Sequence, residues 1–159
     1  GILTSVNCSA TVARAIADHF RRDVNPRALE RFPNVDGVVA LTHGAGCATD
    51  SAGEPLQVLR RTLGGYARHA NFASVLVVGL GCETNQISGL MEQEKLGGAA
   101  YSGPTLHSFN IQETGGTRKT VAHGIELVEW LLEEANKATR TPVPATVVIT
   151  PLASMMMIE

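Results

Sequence analysis

Four times along the chain an apolar run of strand length is followed by a turn of small or polar residues and then by a helical pattern. The first unit runs from Ile2 to Val6, turns at Asn7-Cys8, and continues into a helix with Val12, Ile16 and Phe20 on one face and Ser9 as its expected N-cap. The second has Val38 to Leu41, the turn His43-Gly44-Ala45-Gly46-Cys47, and a helix from about Pro55 to Arg68 with Leu56, Leu59 and Leu63 inward. Val75 to Val78 opens the third, followed by Gly79-Leu80-Gly81-Cys82 and a helix over about Asn85 to Leu96. The fourth strand, around His107 to Gln112, leads through Glu113-Thr114-Gly115-Gly116 into the longest helix. Thr117 is its expected cap, and Val121, Ile125, Val128 and Leu132 lie on one face.

Near-continuous apolar strands alternating with amphipathic helices predict a mainly parallel sheet of about four to five strands covered on both faces, a three-layer α/β sandwich. Because each helix must return the chain to a parallel strand, the four turns are expected at one edge of the sheet. In open α/β sheets that carboxyl edge is where ligands bind. Residues 1–140 are expected to form this domain. Residues 141–159, starting at Thr141-Pro142-Val143-Pro144, read as a linker and a strand-like tail ending in a Met155-Met156-Met157 run. Arg21 to Pro33 reads as a charged connection, and Gly97 to Pro104 as a Gly-rich loop.

Composition narrows the function. A formal net charge of −2 gives no basic field for nucleic acid or an anionic membrane, and only 4% of residues are aromatic, too few for base-stacking platforms. No apolar run reaches the ~20 residues of a membrane span. Sixteen glycines in 159 residues exceed the usual ~7%, and several sit in the turns, where backbone can approach a ligand. The chain begins within a strand and without Met, which predicts a domain excised from a longer protein.

The three cysteines form no complete disulfide set and suit a reducing, cytoplasmic location. Cys8, Cys47 and Cys82 each follow a strand at the turn into a helix, about one unit apart, so three thiols are expected at one sheet edge. Small, buried cysteines would satisfy the same pattern. The sharper expectation is a soft-metal or iron–sulfur site, since thiolates suit iron or zinc and three ligands leave one position open. A single reactive thiol, Cys47 with His43 nearby, is a further alternative.

The fourth turn, Gln112-Glu113-Thr114-Gly115-Gly116-Thr117-Arg118-Lys119, places two glycines and two cations at a helix N-terminus. Such a turn can hold an anion: Arg118 would grip a carboxylate bidentately, and Lys119 would add a mobile charge or a base. An ordinary helix start with both cations in water would read the same way. The run does not fit a Walker A loop, and Gly79-Leu80-Gly81 lacks the third glycine of a dinucleotide fingerprint. Of the histidines, His43 is the better candidate for acid–base or ligand work, because His19, His69 and His123 fall on or at the ends of helices.

The segments Ser5-Val6-Asn7-Cys8-Ser9-Ala10-Thr11-Val12, Thr42-His43-Gly44-Ala45-Gly46-Cys47, Gly79-Leu80-Gly81-Cys82-Glu83-Thr84-Asn85-Gln86 and Gln112 to Lys119, in that order, resemble the galactarate dehydratase/altronate dehydratase family of sugar-acid hydro-lyases. With Thr141-Pro142-Val143-Pro144 they cover about residues 1–144. Members of that family are much longer, so the resemblance is to a central, Rossmann-like domain. Ala145 to Glu159 does not match the Gly-rich, Cys-containing stretch with which the family continues.

The resemblance implies an iron(II)-dependent β-elimination of water from a polyhydroxy acid. Cys8, Cys47 and Cys82 would be the metal ligands. Asn7, Gly115, Gly116, Thr117 and Arg118 would bind substrate, and His43 or Lys119 would serve as base or acid. The implied partners are a small sugar acid and the other domains of a full-length enzyme, with a homodimer as a further expectation. The other functional classes that fit are a metal- or anion-binding domain whose chemistry lies elsewhere, and a scaffold or dimerisation domain.

Overall fold

A computed structural model describes residues 1–139 and 141–142 of the chain. The strand-like reading of Ala145 to Glu159, and most of the linker before it, lie outside the described residues. The elements are β1 (Ile2–Thr4), a 3-10 turn at Asn7–Ser9, α1 (Ala10–His19), β2 (Ala40–Leu41), α2 (Glu54–Ala67) and β3 (Ser74–Gly79). α3 (Ile87–Gln93), β4 (Thr105–Asn110), the single turn α4 (Ile111–Thr114) and α5 (Thr117–Ala135) complete the fold.

The four strands form one sheet in the order β2-β1-β3-β4, and every pairing is parallel. β1 pairs Ile2 with Leu76 and Leu3 with Val77, so neighbouring strands send side chains to the same face at the same level. Ile2, Leu76 and Val78 join Val12, Ile16, Val128 and Leu132 in one core, beneath α1 and α5. Leu3, Val75 and Val77 join Leu63, Ala67 and Leu90 in the other, beneath α2 and α3. The near-continuous apolar strands follow from this two-sided burial. Among the described residues no helix is long and apolar enough to cross a membrane.

The strand order also locates the crevice. The chain leaves β1 for β2 on one side, then crosses back over β1 to reach β3 on the other. The reversal falls between β1 and β3, and ligands of open α/β sheets bind at such a switch point, beyond the carboxyl ends of the strands.

Several boundaries differ from those read in the sequence. β2 keeps only Ala40–Leu41 of the expected four residues, and β4 ends at Asn110, where Ile111 begins a helical turn. The C-cap of that turn, Gly115, is left-handed at φ 92°. Gly116 (φ 99°) stands at the N-cap of α5 and Thr117 is its first helical residue, so Thr117 does not cap the helix. Ser9 does not cap α1 with its side chain either. Its hydroxyl lies 2.9 Å from the Val6 carbonyl and 2.7 Å from that of Val78, tying the first turn to β3. The charged connection contributes apolar mass, because Leu29 and Phe32 are buried in the α1–α5 core. The Gly-rich loop is fastened by the Tyr101 hydroxyl, which donates to the Ala67 carbonyl at 2.9 Å.

Candidate functional site at the carboxyl edge

The four turns emerge side by side in the sheet order, those after β2, β1, β3 and β4, and each is bonded to its neighbour. Between the first two, the Asn7 N–H donates to the Ala45 carbonyl at 2.9 Å. His43 Nε2 meets the Thr4 carbonyl at 2.8 Å, and the Ala45 N–H donates to His43 Nδ1 at 3.2 Å. A carbonyl can only accept, so Nε2 carries the proton and Nδ1 is the acceptor. Gly46 lies directly on β1's exit. Its φ is +98°, and a Cβ there would sit 2.5 Å from the Ser5 carbonyl oxygen, so only glycine fits.

The turn after β3 is clipped to both of these. The Thr84 hydroxyl and the Asn85 N–H donate to the carbonyls of Cys47 (2.8 Å) and Gly46 (3.2 Å), and Asn85 Nδ2 donates to the Ser5 carbonyl at 2.8 Å. Arg60 of α2 holds Asn85 from behind, its Nε donating to Oδ1 at 3.0 Å. Glu83 is buried beneath this turn. Its carboxylate accepts from the Ser5 hydroxyl at 2.5 Å and from the N–H groups of Leu80 (3.1 Å) and Gly81 (2.6 Å). Burial by itself raises the Glu83 pKa, but the Ser5 hydroxyl and the surrounding backbone N–H groups outweigh it, so the group lies below the ordinary carboxylate value.

Gln112 makes the last connection. Its N–H donates to the Leu80 carbonyl at 3.0 Å, and its Nε2 lies 3.3 Å from Cys82 Sγ. Gly81, at φ +121°, allows this approach, since a Cβ there would lie 2.7 Å from Gln112 Oε1. The roles of Ser5, Glu83, Asn85 and Gln112 are not legible in the sequence. Their types signal only polar turns, and the bonds that give them meaning join residues far apart in the chain.

Cys8, Cys47 and Cys82 are all free and exposed at this edge, so they are not buried packing residues. The Cys8 thiol is raised above its ordinary value, first by desolvation, then by the hydrogen bond and charge of Cys47 and by the charge of Cys82. The three thiols do not form a ligand cage in this arrangement: among the described residues no group of three or more His, Cys, Asp or Glu side chains is placed to hold a metal ion.

Arg118 and Lys119 project from the first turn of α5, both exposed, and no side chain caps that turn. Among the described residues neither has an ion-pair or hydrogen-bond partner. Lys119 folds back over the glycine pair, and a Cβ at Gly115 would lie 3.2 Å from its Cδ and 3.5 Å from its Nζ. The edge therefore has two flanks. Cys8, Cys47, His43 and Asn7 occupy the β2–β1 side, while Arg118, Lys119, Gly115, Gly116 and Thr117 occupy the β4 side, with Cys82 and Gln112 between. The β2 and β4 turns stand three strand spacings apart, roughly 14 Å.

A cavity of about 420 Å³ lies away from this edge. It opens at the opposite, amino end of the sheet, against Gly1, Val35, Phe72 and the last turns of α5.

Residues 1–136 match the second domain of the family described as D-galactarate dehydratase/altronate hydrolase. The chain is 35% identical to the altronate dehydratase of Escherichia coli (strain K12) over 91 residues, which is 57% of this chain and 17% of that protein. It is 26% identical to the altronate dehydratase of Bacillus subtilis (strain 168) over 143 residues, 90% of this chain and 26% of that protein. The matched stretch thus spans only 17% and 26% of the length of these two curated relatives. No solved structure matches it. Four interlocked turns at the switch point of a parallel sheet, with a family match from the first strand through the last helix, lead to one assignment: the chain belongs to the D-galactarate dehydratase/altronate hydrolase family, as its second domain.

Proposed function

We propose that the protein carrying this domain is a hydro-lyase that removes water from a sugar acid of the altronate or galactarate type, and that the acid's carboxylate seats on the β4 flank of the edge. The observation that carries this reading is the pair Arg118 and Lys119. They are exposed cations without partners among the described residues, in the first turn of a helix that no side chain caps, and Lys119 lies against Gly115. An anion there would meet a bidentate guanidinium, the helix dipole and open N–H groups together.

In the elimination, the C–H bond next to the carboxylate gives its proton to a base and its electron pair forms a carbon–carbon double bond. The neighbouring C–O bond breaks, and the departing hydroxide takes a proton to become water. Charge that develops on the pinned carboxylate as the proton leaves is met by Arg118. The carbon that loses the proton is bonded to that carboxylate, so the group that moves protons must stand beside Arg118. Lys119 does. His43 stands on the far flank, and taking a proton at Nδ1 would cost it the Ala45 N–H bond. We therefore assign Lys119 to proton transfer and His43 to holding the second turn on β1. Asn7, Gly115, Gly116 and Thr117 are assigned to substrate contacts.

Iron(II), which the resemblance implies, would act as a Lewis acid on the carboxylate or the leaving hydroxyl. Thiols are chemically suited to it, but Cys8, Cys47 and Cys82 do not make a metal-holding group as they stand. Iron binding by these thiols remains a proposal for metal analysis. We assign the cover over the edge to the other domains of the full protein, a second copy included, in a cytoplasmic setting that keeps the thiols reduced.

The test is direct. The intact protein, purified without oxygen and supplied with iron(II), is incubated with altronate and with galactarate. One of the two acids is expected to yield a 2-oxo-3-deoxy acid, the ketonised product of losing water. Formation of none from either acid by folded protein would contradict the reading.

A further inference from the structure

The β2–β1 flank of the edge carries a cation of its own. Arg14 stands on α1, and helix side chains lean toward the helix N-terminus, so its guanidinium reaches back to the carboxyl edge. There its Nη2 donates to the Thr42 hydroxyl at 2.8 Å, directly after β2 and directly before His43. Arg14 is exposed, and among the described residues no carboxylate pairs with it. Thr42 takes one of the guanidinium's N–H donors and leaves the others open. His43, beside it, has both ring nitrogens engaged within the turns, so Arg14 is the group left to meet an anion. The edge thus presents Arg118 on one flank and Arg14 on the other.

We propose that Arg14 is a specificity-determining residue: it takes the far carboxylate of a six-carbon diacid whose near carboxylate sits on Arg118, so that the edge prefers hexarates to aldonates. This role rests on the reading that a sugar acid's carboxylate seats on the β4 flank. Length allows one molecule to reach both cations. A six-carbon chain is about as long as two residues of extended backbone, roughly 7 Å. With a charge-assisted bond of about 2.8 Å at each end, it bridges most of the roughly 14 Å between the outer turns. The two arginine side chains close the rest. The hydroxyl-bearing carbons then cross the exits of β1 and β3, over the switch point.

An aldonate ends instead in a hydroxymethyl group. That group offers the fork a neutral acceptor, without the charge and without the second, parallel bond of a carboxylate. The Thr42 bond sharpens the difference, because it ties the guanidinium to the second turn and less freedom is lost when a carboxylate arrives.

The test titrates galactarate and galactonate into the intact protein by calorimetry. The two acids differ only in a carboxylate against a hydroxymethyl group at one end, and binding is read without turnover. The unsubstituted protein should bind galactarate about tenfold or more tightly than galactonate, the scale of a hydrogen bond to a charged group. Arg14→Ala should weaken galactarate about tenfold more than it weakens galactonate. Arg14→Lys, which keeps the charge and loses the fork, should fall between. Thr42→Val removes only the tie, so most of the preference should survive it. Equal binding of the two acids by the unsubstituted protein would overturn the proposal. So would an Arg14→Ala loss that is the same for both acids, or one that Thr42→Val reproduces, since either makes Arg14 a brace for the second turn. If the preference depends on Arg14 but neither acid loses water, the Arg14 role stands and the hydro-lyase reading falls. Turnover of both acids with no preference between them does the reverse.

Discussion

The Ser5 hydroxyl donates to Glu83 Oε1 at 2.5 Å, joining the exit of β1 to the turn after β3 across 78 residues of chain. This bond spans the switch point itself, and the same carboxylate holds the Leu80 and Gly81 N–H groups of the turn that presents Cys82. Glu83 is therefore a brace for the crevice, buried and fully bonded.

Replacing Glu83 by Gln should destabilise the protein by about 1.5–3 kcal/mol, the scale of hydrogen bonds to a charged group. Gln keeps the shape but turns one acceptor into a donor facing the backbone N–H groups. Chemical denaturation of the intact protein checks it, and an unchanged midpoint would remove the brace from the account. The pH dependence has a definite sign. A carboxylate whose folded pKa is depressed adds stability above its unfolded value, about 4.3, and loses it as pH falls through the folded pKa. Glu83→Gln should accordingly flatten the loss of stability below about pH 4.3.

Gly46→Ala should be far more damaging than Gly44→Ala in the same turn. A Cβ at Gly46 meets the Ser5 carbonyl at φ +98°, while one at Gly44 meets nothing within 4 Å. Left-handed strain alone costs about 1–3 kcal/mol, before any clash. A pair of thermal unfolding curves decides it, and equal shifts for the two variants would show that the second turn does not rest on β1 as described.

Lys119→Ala should lower kcat by about 10²–10⁴, the range of general acid–base groups. His43→Gln, which can still donate to the Thr4 carbonyl, should cost less in kcat than Lys119→Ala and should lower thermal stability. Steady-state kinetics of the two variants side by side test the assignment. A larger kcat loss at His43 than at Lys119 would reverse the two roles.

If the three thiols hold the iron that the family resemblance implies, the triple variant Cys8→Ser, Cys47→Ser, Cys82→Ser should retain less iron than the unsubstituted protein when both are purified without oxygen. Elemental analysis reads this without reference to activity. Iron at the unsubstituted level in the triple variant would remove the cysteines from the ligand set.

Much of the fold was legible because its signal is repeated and local. The apolar runs around Leu3, Leu76 and Val77 and the helical spacing of Val128 and Leu132 reflect burial on both faces of a parallel sheet, and the structure follows them. The strand order was not legible, because parallel pairing leaves no mark on an individual strand. The capping bonds were not legible for a different reason: Ser9 does stand at the N-cap of α1, but without a side-chain cap bond, and Gly116 rather than Thr117 stands at that of α5. Thr117 and Ser9 have the right chemistry for capping, but Gly116 can take φ 99° and Ser9 is drawn to the Val78 carbonyl by tertiary packing. The cysteines and Arg118 could be found by type and position. Glu83, Asn85 and Gln112 could not be assigned roles, since their partners Ser5, Gly46 and Leu80 lie far away in sequence.

If the first turn of α5 receives the substrate's carboxylate as proposed, the Michaelis constant of Arg118→Ala in the intact protein registers it most directly. Loss of a charge-assisted bond worth about 1.5–3 kcal/mol should raise KM at least tenfold. Arg118→Lys, which keeps the charge and loses the fork, should fall in between. A KM unchanged in Arg118→Ala would contradict the account and move the carboxylate to another part of the edge.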